Sequence, residues 1–144
     1  MKVEVFDGPA SELAEALRTL VPQLSTSNPP PTVAQVEAML GSDAISQFVA
    51  RDGAGAIIGV ATLAVFPIPT SRRGWIEDVI VDDAARGQGA GAALTRAMID
   101  RARALGCSTL ELTSRPSREV ANRLYQRLGF TLRDTNVYRF DLRS

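Results

Sequence analysis

The chain has 144 residues, 45% of them hydrophobic, and its 16 acidic and 16 basic side chains leave no formal net charge. This composition is typical of a globular protein, and the length predicts a single domain, residues 1–144, that buries roughly 68–70% of its unfolded surface. A neutral chain has no global field that would attract nucleic acid or an anionic membrane, so we expect neither as a partner.

Two residue counts exclude whole classes of site. The chain has no histidine and a single cysteine, Cys107. These counts exclude histidine catalysis, a metal centre built from histidines or clustered cysteines, and an intramolecular disulfide, so we expect no metal. Cys107 follows a predicted helix end and is interpreted as a packing residue. The N-terminal segment lacks the pattern of a signal peptide, which favours a cytoplasmic location.

The first quarter of the chain is predicted to form a strand and two helices. Alternation of apolar and polar residues predicts a strand at residues 2–6, and apolar residues at helical spacing predict a helix over residues 13–21 with Ser11 as its N-cap. The segment Ser25 to Pro31 is predicted to be a loop because consecutive prolines cannot continue a helix. A short helix should follow, from residue 32 or 33 to Leu40.

The next segment carries the signature of a β-hairpin. Strands are predicted from Ile45 to Arg51 and from Ala56 to Phe66, joined by a glycine-rich turn that begins at Asp52. Pro67 and Pro69 are predicted to end the second strand.

The second half is predicted to place a glycine-rich loop between a strand from Trp75 to Val81 and a helix over about residues 89–105. The remaining predicted elements are a strand at 109–113, a helix at 117–128 with Val120, Leu124 and Leu128 on one side, and closing strands at 130–132 and 137–142. This order indicates a mixed α/β domain rather than a run of βαβ units.

The glycine-rich loop is predicted to bind a pyrophosphate. Glycines at positions 87, 89 and 91 allow positive φ angles and a close approach of a ligand to the main chain. Between a strand and a helix, such a loop can aim several unpaired N–H groups and the positive helix end at one anion. Arg86 adds a positive charge at the rim.

The same loop also matches a variant of the dinucleotide-binding fingerprint. Gly87, Gly89 and Ala92 have the required spacing, and Glu111 lies about 20 residues further on, near the usual ribose-binding position. Its position in the chain counts against this interpretation, because a dinucleotide fold normally opens with this unit and continues with further βα pairs. A dinucleotide-binding oxidoreductase module stays an alternative.

The segment Arg86-Gly87-Gln88-Gly89-Ala90-Gly91 resembles the central motif of the GNAT acetyltransferase superfamily, Arg/Gln-x-x-Gly-x-Gly/Ala at the start of a helix. The preceding strand from Ile76 to Val81 and the later segment from Ala121 to Phe130 are also similar to that superfamily. Together these pieces cover about residues 75–133.

The resemblance implies a GNAT fold, in which a central twisted, mostly antiparallel sheet with a splayed parallel pair is flanked by helices. It implies acetyl-CoA as co-substrate, with pantetheine in the wedge between the splayed strands, the diphosphate on loop amides, and Asn122 and Tyr125 facing the sulfur end. The implied cofactor-binding residues are Val79, Ile80, Val81, Arg86, Gly87, Gln88, Gly89, Ala90, Gly91, Ala92, Asn122 and Tyr125.

A mechanism follows from this resemblance and from the chemistry of amines. An alkylamine with a pKa near 10 must lose a proton before it can attack a thioester, and Glu77 is the predicted base, acting directly or through a water. A backbone N–H near Val79 would stabilise the negative charge that develops on the thioester oxygen. Tyr125 is the predicted proton donor to the leaving thiolate. Asp78 should point to the opposite face of its strand by alternation, and the two carboxylates can face one substrate only if the strand is bulged. Asp78 is therefore predicted to contact substrate but not to catalyse.

The predicted function is transfer of an acetyl group from acetyl-CoA directly to the primary amine of a small molecule. A protein or peptide N-acetyltransferase and a noncatalytic acyl-CoA-binding regulatory module are the alternatives within the same resemblance. The segments expected to shape the acceptor pocket are Ser25 to Pro31, Pro67 to Arg73 and Asp134 to Tyr138. The oligomeric state is open, and a homodimer is compatible with the resemblance.

Overall fold

The structure is a computed structural model that describes residues 1–143. These residues divide into two compact units, the first spanning Met1–Thr113 and the second beginning at Ser114. The elements are β1 (Lys2–Val5), α1 (Ala10–Leu24), α2 (Val33–Leu40), β2 (Ile45–Arg51), β3 (Ile57–Ile68), β4 (Ser71–Val81), a 3-10 turn (Asp83–Ala85), α3 (Ala90–Ala104), β5 (Thr109–Glu111) and α4 (Glu119–Arg127). No helix within residues 1–143 is long and apolar enough to cross a bilayer.

The first unit contains one sheet with the strand order β1-β2-β3-β4-β5. The first four strands are antiparallel, and β5 is parallel to β4. This arrangement confirms the predicted mixed α/β fold with a mostly antiparallel sheet. Residues Arg73 to Trp75 of β4 pair with β5, whereas the rest of β4, from Ile76 to Val81, has no strand on that side among the described residues. The two parallel strands therefore pair at one end only.

Helices cover both faces of this sheet. The apolar residues at helical spacing in α1 pack with α2 against one face, and this buried cluster contains Phe6, Leu13, Ala14, Leu17, Leu20, Val36, Val49, Val60 and Ile80. Helix α3 packs against the opposite face through Leu94 and Met98, which are fully buried. A Cβ on Gly59 would lie 3.2 Å from Cδ1 of Leu94, so the absence of a side chain there lets α3 approach the sheet closely.

The predicted start of α2 is confirmed and that of α1 is wrong. Thr32 caps α2 through a capping box, in which its side chain accepts from the N–H of Gln35 and the Gln35 side chain accepts from the N–H of Thr32. The N-cap of α1 is Pro9 rather than Ser11, which lies inside the first turn. Pro9 has no side-chain cap to offer, and its ring holds the φ angle of this residue at −67° at the start of the helix.

The predicted β2–β3 hairpin is confirmed, but its second strand is longer than predicted. The side chain of Asp52 accepts hydrogen bonds from the N–H groups of Ala54 and Ala56 and so closes the turn. Strand β3 continues through Pro67 to Ile68. A proline is tolerated there because pairing with β2 ends at Ala64, which leaves β3 with β4 as its neighbour on one side only.

The segment Pro67 to Arg73 lies in the β3–β4 hairpin, and its part in shaping the acceptor pocket stays a prediction. Pro67 pairs with Arg72 and Ile68 with Ser71, so the segment forms the closed end of the β3–β4 hairpin. The turn consists of the two residues between β3 and β4, and this short connection brings the two longest strands into register.

The second unit contains α4 and an extended segment that follows it. The ring of Tyr125 packs edge-on against Phe130, with the ring centroids 5.7 Å apart. Val120 was predicted to lie on one side of the helix with Leu124 and Leu128, but it is 74% exposed whereas those two residues are partly buried. Val120 lies five residues before Tyr125, which places it about 140° around the helix from that buried side chain.

The two predicted closing strands, at residues 130–132 and 137–142, are not formed. Within the described part of the chain, no residue after Glu111 belongs to a strand. The alternating pattern there is compatible with a strand, but a strand also needs strand pairing, and no residue from 131 to 143 is assigned to a strand. The large apolar side chains of this segment are exposed.

Candidate active site

The predicted phosphate loop lies between β4 and α3. Gly87 and Gly89 have φ angles of 81° and 80°, and Gly89 is the N-cap of α3. A Cβ added at either glycine would meet nothing within 4 Å. The left-handed backbone conformation therefore requires glycine at these positions, and the space in front of the loop is open to a ligand.

The backbone amides of this loop lack protein partners. Among residues 1–143, the N–H groups from Gly87 to Ala92 donate no hydrogen bond, and the first bonded amide of the helix is that of Ala93, which donates to the carbonyl of Gly89. No side chain caps the helix. Six free donors at a positive helix end fit an anionic group such as a diphosphate.

Arg86 places a positive charge at the rim of the loop, as predicted, but this charge is already paired with an acidic side chain. Its guanidinium forms an ion pair with Asp83, with Nη2 2.7 Å from Oδ1, and both side chains are exposed. An incoming anion would therefore compete with Asp83 for Arg86. The backbone amides of the loop meet no such competition.

Gln23, near the end of α1, ties this helix to the start of the loop. Its side-chain oxygen accepts from the N–H of Asp83 at 2.8 Å, and its amide group donates to Asp82 at 3.4 Å. Asp82 also accepts from the N–H of Ala84 and so caps the 3-10 turn. Sequence reasoning missed Gln23, because no local signal connects a residue of α1 with a loop about 60 residues away.

Strand β4 contains a bulge at the predicted base. Thr62 pairs with Glu77 while Val60 pairs with Ile80, so β4 has one residue more than β3 between these pairs. Asp78, within the bulge, has a φ of 48°, a left-handed conformation that is uncommon outside glycine. The expectation that Asp78 points away from Glu77 by simple alternation therefore does not hold across the bulge.

Glu77 ends a row of polar side chains that crosses the sheet. Thr62 lies directly opposite Glu77, Gln47 lies opposite Thr62, and cross-strand partners share a face of the sheet. The Thr62 hydroxyl donates to Oε1 of Gln47 at 2.8 Å. Val49 and Val60, two residues along from this row, belong to the α1–α2 core cluster. Glu77 therefore lies on the sheet face that α1 and α2 cover.

Trp75 holds the carboxylate of Glu77. The two residues are two apart on β4, and the indole Nε1–H donates to Oε1 of Glu77 at 2.8 Å. Trp75 was interpreted as a strand-packing residue, and the structure adds this polar contact. The second oxygen of Glu77, Oε2, receives no hydrogen bond from the residues that the structure describes and is free to bind a substrate or accept a proton.

The second unit carries two predicted site residues. Tyr125 is 8% exposed, and its burial raises the pKa of the hydroxyl above the ordinary 10.0, while the nearby Arg118 lowers it. The hydroxyl is therefore protonated at neutral pH. The side-chain N–H₂ group of Asn122 donates hydrogen bonds to the backbone carbonyls of Arg115 and Arg118. Its contact with a cofactor stays a prediction.

Within residues 1–143, no cluster of three or more cysteine, aspartate or glutamate side chains could hold a metal ion. The sheet, the bulged strand and the main-chain loop together define a mixed α/β protein with an open glycine loop at the N-terminus of a helix. A model of the acetyltransferase (GNAT) family matches residues 13–130. The chain belongs to this family, whose members use acetyl-CoA as co-substrate.

Individual relatives agree with this assignment. Over 85 residues the chain is 35% identical to an L-methionine sulfoximine/L-methionine sulfone acetyltransferase of Pseudomonas aeruginosa, a match that covers 58% of this chain and 49% of that protein. The chain thus spans about half the length of this relative. It is 29% identical over 138 residues to glucosamine 6-phosphate N-acetyltransferase 1 of Oryza sativa, covering 88% of this chain and 81% of the relative.

A solved structure extends the likeness to nearly the whole fold. The crystal structure of an acetyltransferase from Trypanosoma brucei superimposes with a TM-score of 0.78 at 28% sequence identity, covering 98% of this chain and 99% of that chain.

Proposed function

We propose that this protein transfers an acetyl group from acetyl-CoA directly to the primary amine of a small molecule. The observation that carries the proposal is the set of six unpaired N–H groups from Gly87 to Ala92 at the start of α3. Main-chain donors at a helix N-terminus suit the diphosphate of coenzyme A. Bound acetyl-CoA supplies the activated acetyl group, and the residues of the chain bind, orient and move protons.

Strand β4 is the second element proposed to hold the co-substrate. From Ile76 to Val81 it has no strand on the side of β5 among the described residues. An extended chain of amides, such as pantetheine, can pair with an open strand side as an added strand does. Val79, Ile80 and Val81 would contact pantetheine in this way, and a backbone N–H near Val79 would donate to the acyl oxygen.

Glu77 is the proposed base. An alkylamine reaches the site mostly as an ammonium ion, which a carboxylate attracts and deprotonates. Trp75 fixes one oxygen of Glu77 and leaves the other free, so the carboxylate can accept the proton without first losing a protein partner. Asp78 is exposed beside it and is proposed as a second contact to a cationic substrate.

Tyr125 is the proposed proton donor to the leaving thiolate. Its raised pKa keeps the hydroxyl protonated at neutral pH, which is the form that donates. Among residues 1–143, the hydroxyl takes part in no hydrogen bond, so a bound group would not have to displace a protein partner.

The names of the two relatives support a small-molecule acceptor. One is named for L-methionine sulfoximine and the sulfone, and the other for glucosamine 6-phosphate. These are small compounds that carry a primary amine, although they differ in charge and shape. The proposal therefore extends to the class of acceptor and not to one compound.

The co-substrate is tested by ligand-dependent thermal stability of the full chain. A ligand that binds only the folded protein raises its melting temperature, so acetyl-CoA and coenzyme A should do so, and NAD and NADP should not. Stabilisation by the nicotinamide cofactors alone would contradict the proposal and favour a dinucleotide-binding module.

The acceptor is tested by measuring thiol release from acetyl-CoA with a panel of amines. The panel should contain L-methionine sulfoximine, glucosamine 6-phosphate, polyamines, amino acids and short peptides, and we expect turnover with at least one small amine. Turnover with peptides alone would assign the protein to peptide acetylation. Binding of acetyl-CoA without turnover of any amine, together with no effect of Glu77→Gln or Tyr125→Phe, would indicate a noncatalytic acyl-CoA-binding module.

A further inference from the structure

A buried glutamine fixes one end of the polar row that Gln47, Thr62 and Glu77 form across the sheet. Gln47 is only 4% exposed, and its side-chain N–H₂ group donates to the backbone carbonyls of Ala61 at 3.0 Å and Phe48 at 3.3 Å. Because a carbonyl oxygen can only accept a hydrogen bond, the N–H₂ group must face these two carbonyls. The other polar atom of the amide, Oε1, therefore faces Thr62.

The orientation of Gln47 determines which way the Thr62 hydroxyl points. An amide oxygen carries no hydrogen, so the 2.8 Å contact between Oγ1 of Thr62 and Oε1 of Gln47 uses the one hydrogen of the hydroxyl. Turning the amide over would place its oxygen against two carbonyl oxygens, which cannot donate to it. Among residues 1–143, no group donates to Oγ1 of Thr62, so this atom keeps its lone pairs for a hydrogen-bond donor from outside the chain.

The free lone pairs of Thr62 lie beside the proposed base. Thr62 is the direct cross-strand partner of Glu77, and residues paired in this way have Cβ atoms about 4.5–5.5 Å apart. One nitrogen atom can therefore lie within hydrogen-bond distance of both Oγ1 of Thr62 and Oε2 of Glu77, the carboxylate oxygen that Trp75 does not hold. Thr62 is half-buried and Glu77 is exposed, so a small molecule can reach this position.

We propose that Thr62 determines the specificity of this site for an amine over a hydroxyl group, by accepting a hydrogen bond from the attacking nitrogen. The inference rests on the proposed function, in which Glu77 is the base. A primary ammonium group has three hydrogens. As the C–N bond forms and the C–S bond breaks, one hydrogen passes as a proton to Glu77, one ends on the thiol of coenzyme A, and the third stays on the amide nitrogen. Thr62 binds this third hydrogen and takes up no proton.

A hydroxyl group in the same position cannot satisfy both acceptors. Its one hydrogen goes to the carboxylate of Glu77, because hydrogen bonds to a charged acceptor are the stronger ones. Its oxygen then meets the lone pairs of Thr62, and the Thr62 hydroxyl cannot turn to donate because Gln47 holds its hydrogen. A site built to pair with a substrate N–H group discriminates against an analogue that lacks this group, since the acceptor is then left unpaired.

Binding of a matched pair of ligands to the full chain tests the role of Thr62. The pair is an amine that turns over in the panel and the analogue in which a hydroxyl replaces the amine; for glucosamine 6-phosphate this analogue is glucose 6-phosphate. Calorimetric titration into protein saturated with coenzyme A gives both Kd values. Thr62→Val has nearly the same shape but no hydroxyl, so it should raise the Kd of the amine about tenfold to hundredfold and that of the analogue less than twofold.

Thr62→Ser is the matched control, because it keeps the hydroxyl and should bind both ligands as the wild type does. Stabilisation by acetyl-CoA verifies that each variant is folded. Equal changes for the two ligands in Thr62→Val, or an unchanged Kd for the amine, would overturn the inference and leave the proposed function intact. The proposed function fails on a different observation, namely that the wild-type protein turns over no amine, and the inference then fails with it.

Gln47→Met tests whether Gln47 acts as a positioning residue through Thr62. This variant removes the oxygen that holds the hydroxyl hydrogen, so the hydroxyl of Thr62 becomes free to donate to the oxygen of the analogue. The Kd of the analogue should therefore fall by about threefold to tenfold, while that of the amine should rise. A purely structural role for Gln47 would move both Kd values in the same direction, and that outcome would overturn the positioning role.

Discussion

The phosphate loop and residues 131–142, here called the C-terminal arm, both have clear sequence patterns, yet only the loop has the structure that its pattern predicts. Glycine spacing predicts the loop, and the chain forms it between β4 and α3. Strict alternation predicts a strand in the arm, and the described chain has no strand there. The loop needs only its own backbone geometry between β4 and α3. The arm needs a hydrogen-bonded neighbour, which its local sequence does not supply.

The two regions also differ in what they leave unsatisfied. The loop leaves six polar N–H groups without protein partners. The arm leaves five large apolar side chains exposed. Unpaired donors at a helix end favour an anion, whereas exposed apolar surface favours another protein surface. The two regions therefore expose different kinds of surface, polar donors in the first unit and apolar side chains in the second.

The largest expected effect is that of changing Glu77, the proposed base. Glu77→Gln keeps the shape of the side chain and an acceptor for the Trp75 indole but removes the proton acceptor. We expect kcat to fall by about 10²–10⁴-fold, with the Kd for acetyl-CoA unchanged. Thiol-release kinetics and calorimetric titration measure the two quantities. A kcat within twofold of the wild-type value would show that Glu77 is not the base and would contradict the proposed catalytic role of β4.

The second-largest expected effect concerns the role of the loop glycines in binding acetyl-CoA. Gly89→Ala places a side chain at a φ of 80° and in front of the free amides, so the Kd for acetyl-CoA should rise on the order of tenfold. Gly55→Ala is the matched control, because Gly55 has a φ of 87° and equally open surroundings but lies in the β2–β3 turn. Both variants should lose about 1 kcal/mol of stability, and only Gly89→Ala should lose affinity. Equal affinities in the two variants would show that the loop does not hold the cofactor.

A smaller effect is expected from Trp75. Trp75→Phe keeps an aromatic ring but removes the N–H that holds Glu77, which should lower kcat by about threefold to tenfold. The Kd for acetyl-CoA should not change, because the ring stays in place. A positioning role further predicts that Trp75→Phe has no additional effect in a protein that already carries Glu77→Gln. Full additivity of the two changes would indicate that Trp75 acts through packing alone.

The smallest effect concerns stability in the second unit at high pH. Burial raises the pKa of Tyr125 in the folded state, so above pH 10 the unfolded chain releases a proton that the folded chain keeps. The free energy of unfolding should therefore fall as pH rises above 10, by at most about 1.4 kcal/mol per pH unit from this group. Tyr125→Phe should reduce that slope.

Urea unfolding between pH 9 and about pH 11 measures the slope, using the ordinary tyrosine pKa as a guide. Tyr138→Phe is the control, since Tyr138 is the other tyrosine of the chain and is 88% exposed. Other groups contribute little to the pH dependence in this range because Lys2 is the only lysine of the sequence. An unchanged slope in Tyr125→Phe would show that the hydroxyl is as well solvated in the folded chain as in the unfolded one.

The parts of the fold that were predicted correctly depend on short stretches of chain. The capping box of Thr32 and Gln35, the turn that begins at Asp52 and the glycine loop each involve residues within a few positions of one another. Their conformations follow from local sterics and local hydrogen bonds. The sheet order then follows because short hairpins leave few ways to connect successive strands.

The parts that were missed depend on residues far apart in the sequence. The Gln23 contact joins α1 to the loop, and the bulge at Asp78 is defined by a change of register against β3. No pattern within β4 alone shows where that change falls.

The sequence by itself determined the family, the position of the phosphate loop and the residue types available for proton transfer, since these depend on motifs and local backbone geometry. Tertiary structure alone decided that Trp75 holds Glu77, that Thr62 and Gln47 extend the same polar row, and that Val120 faces solvent. It also decided that residues 131–142 form no strand in the described chain. The physical reason is that burial and strand pairing depend on which residues are neighbours in space. An alternating or helical sequence pattern requires such neighbours but does not identify them.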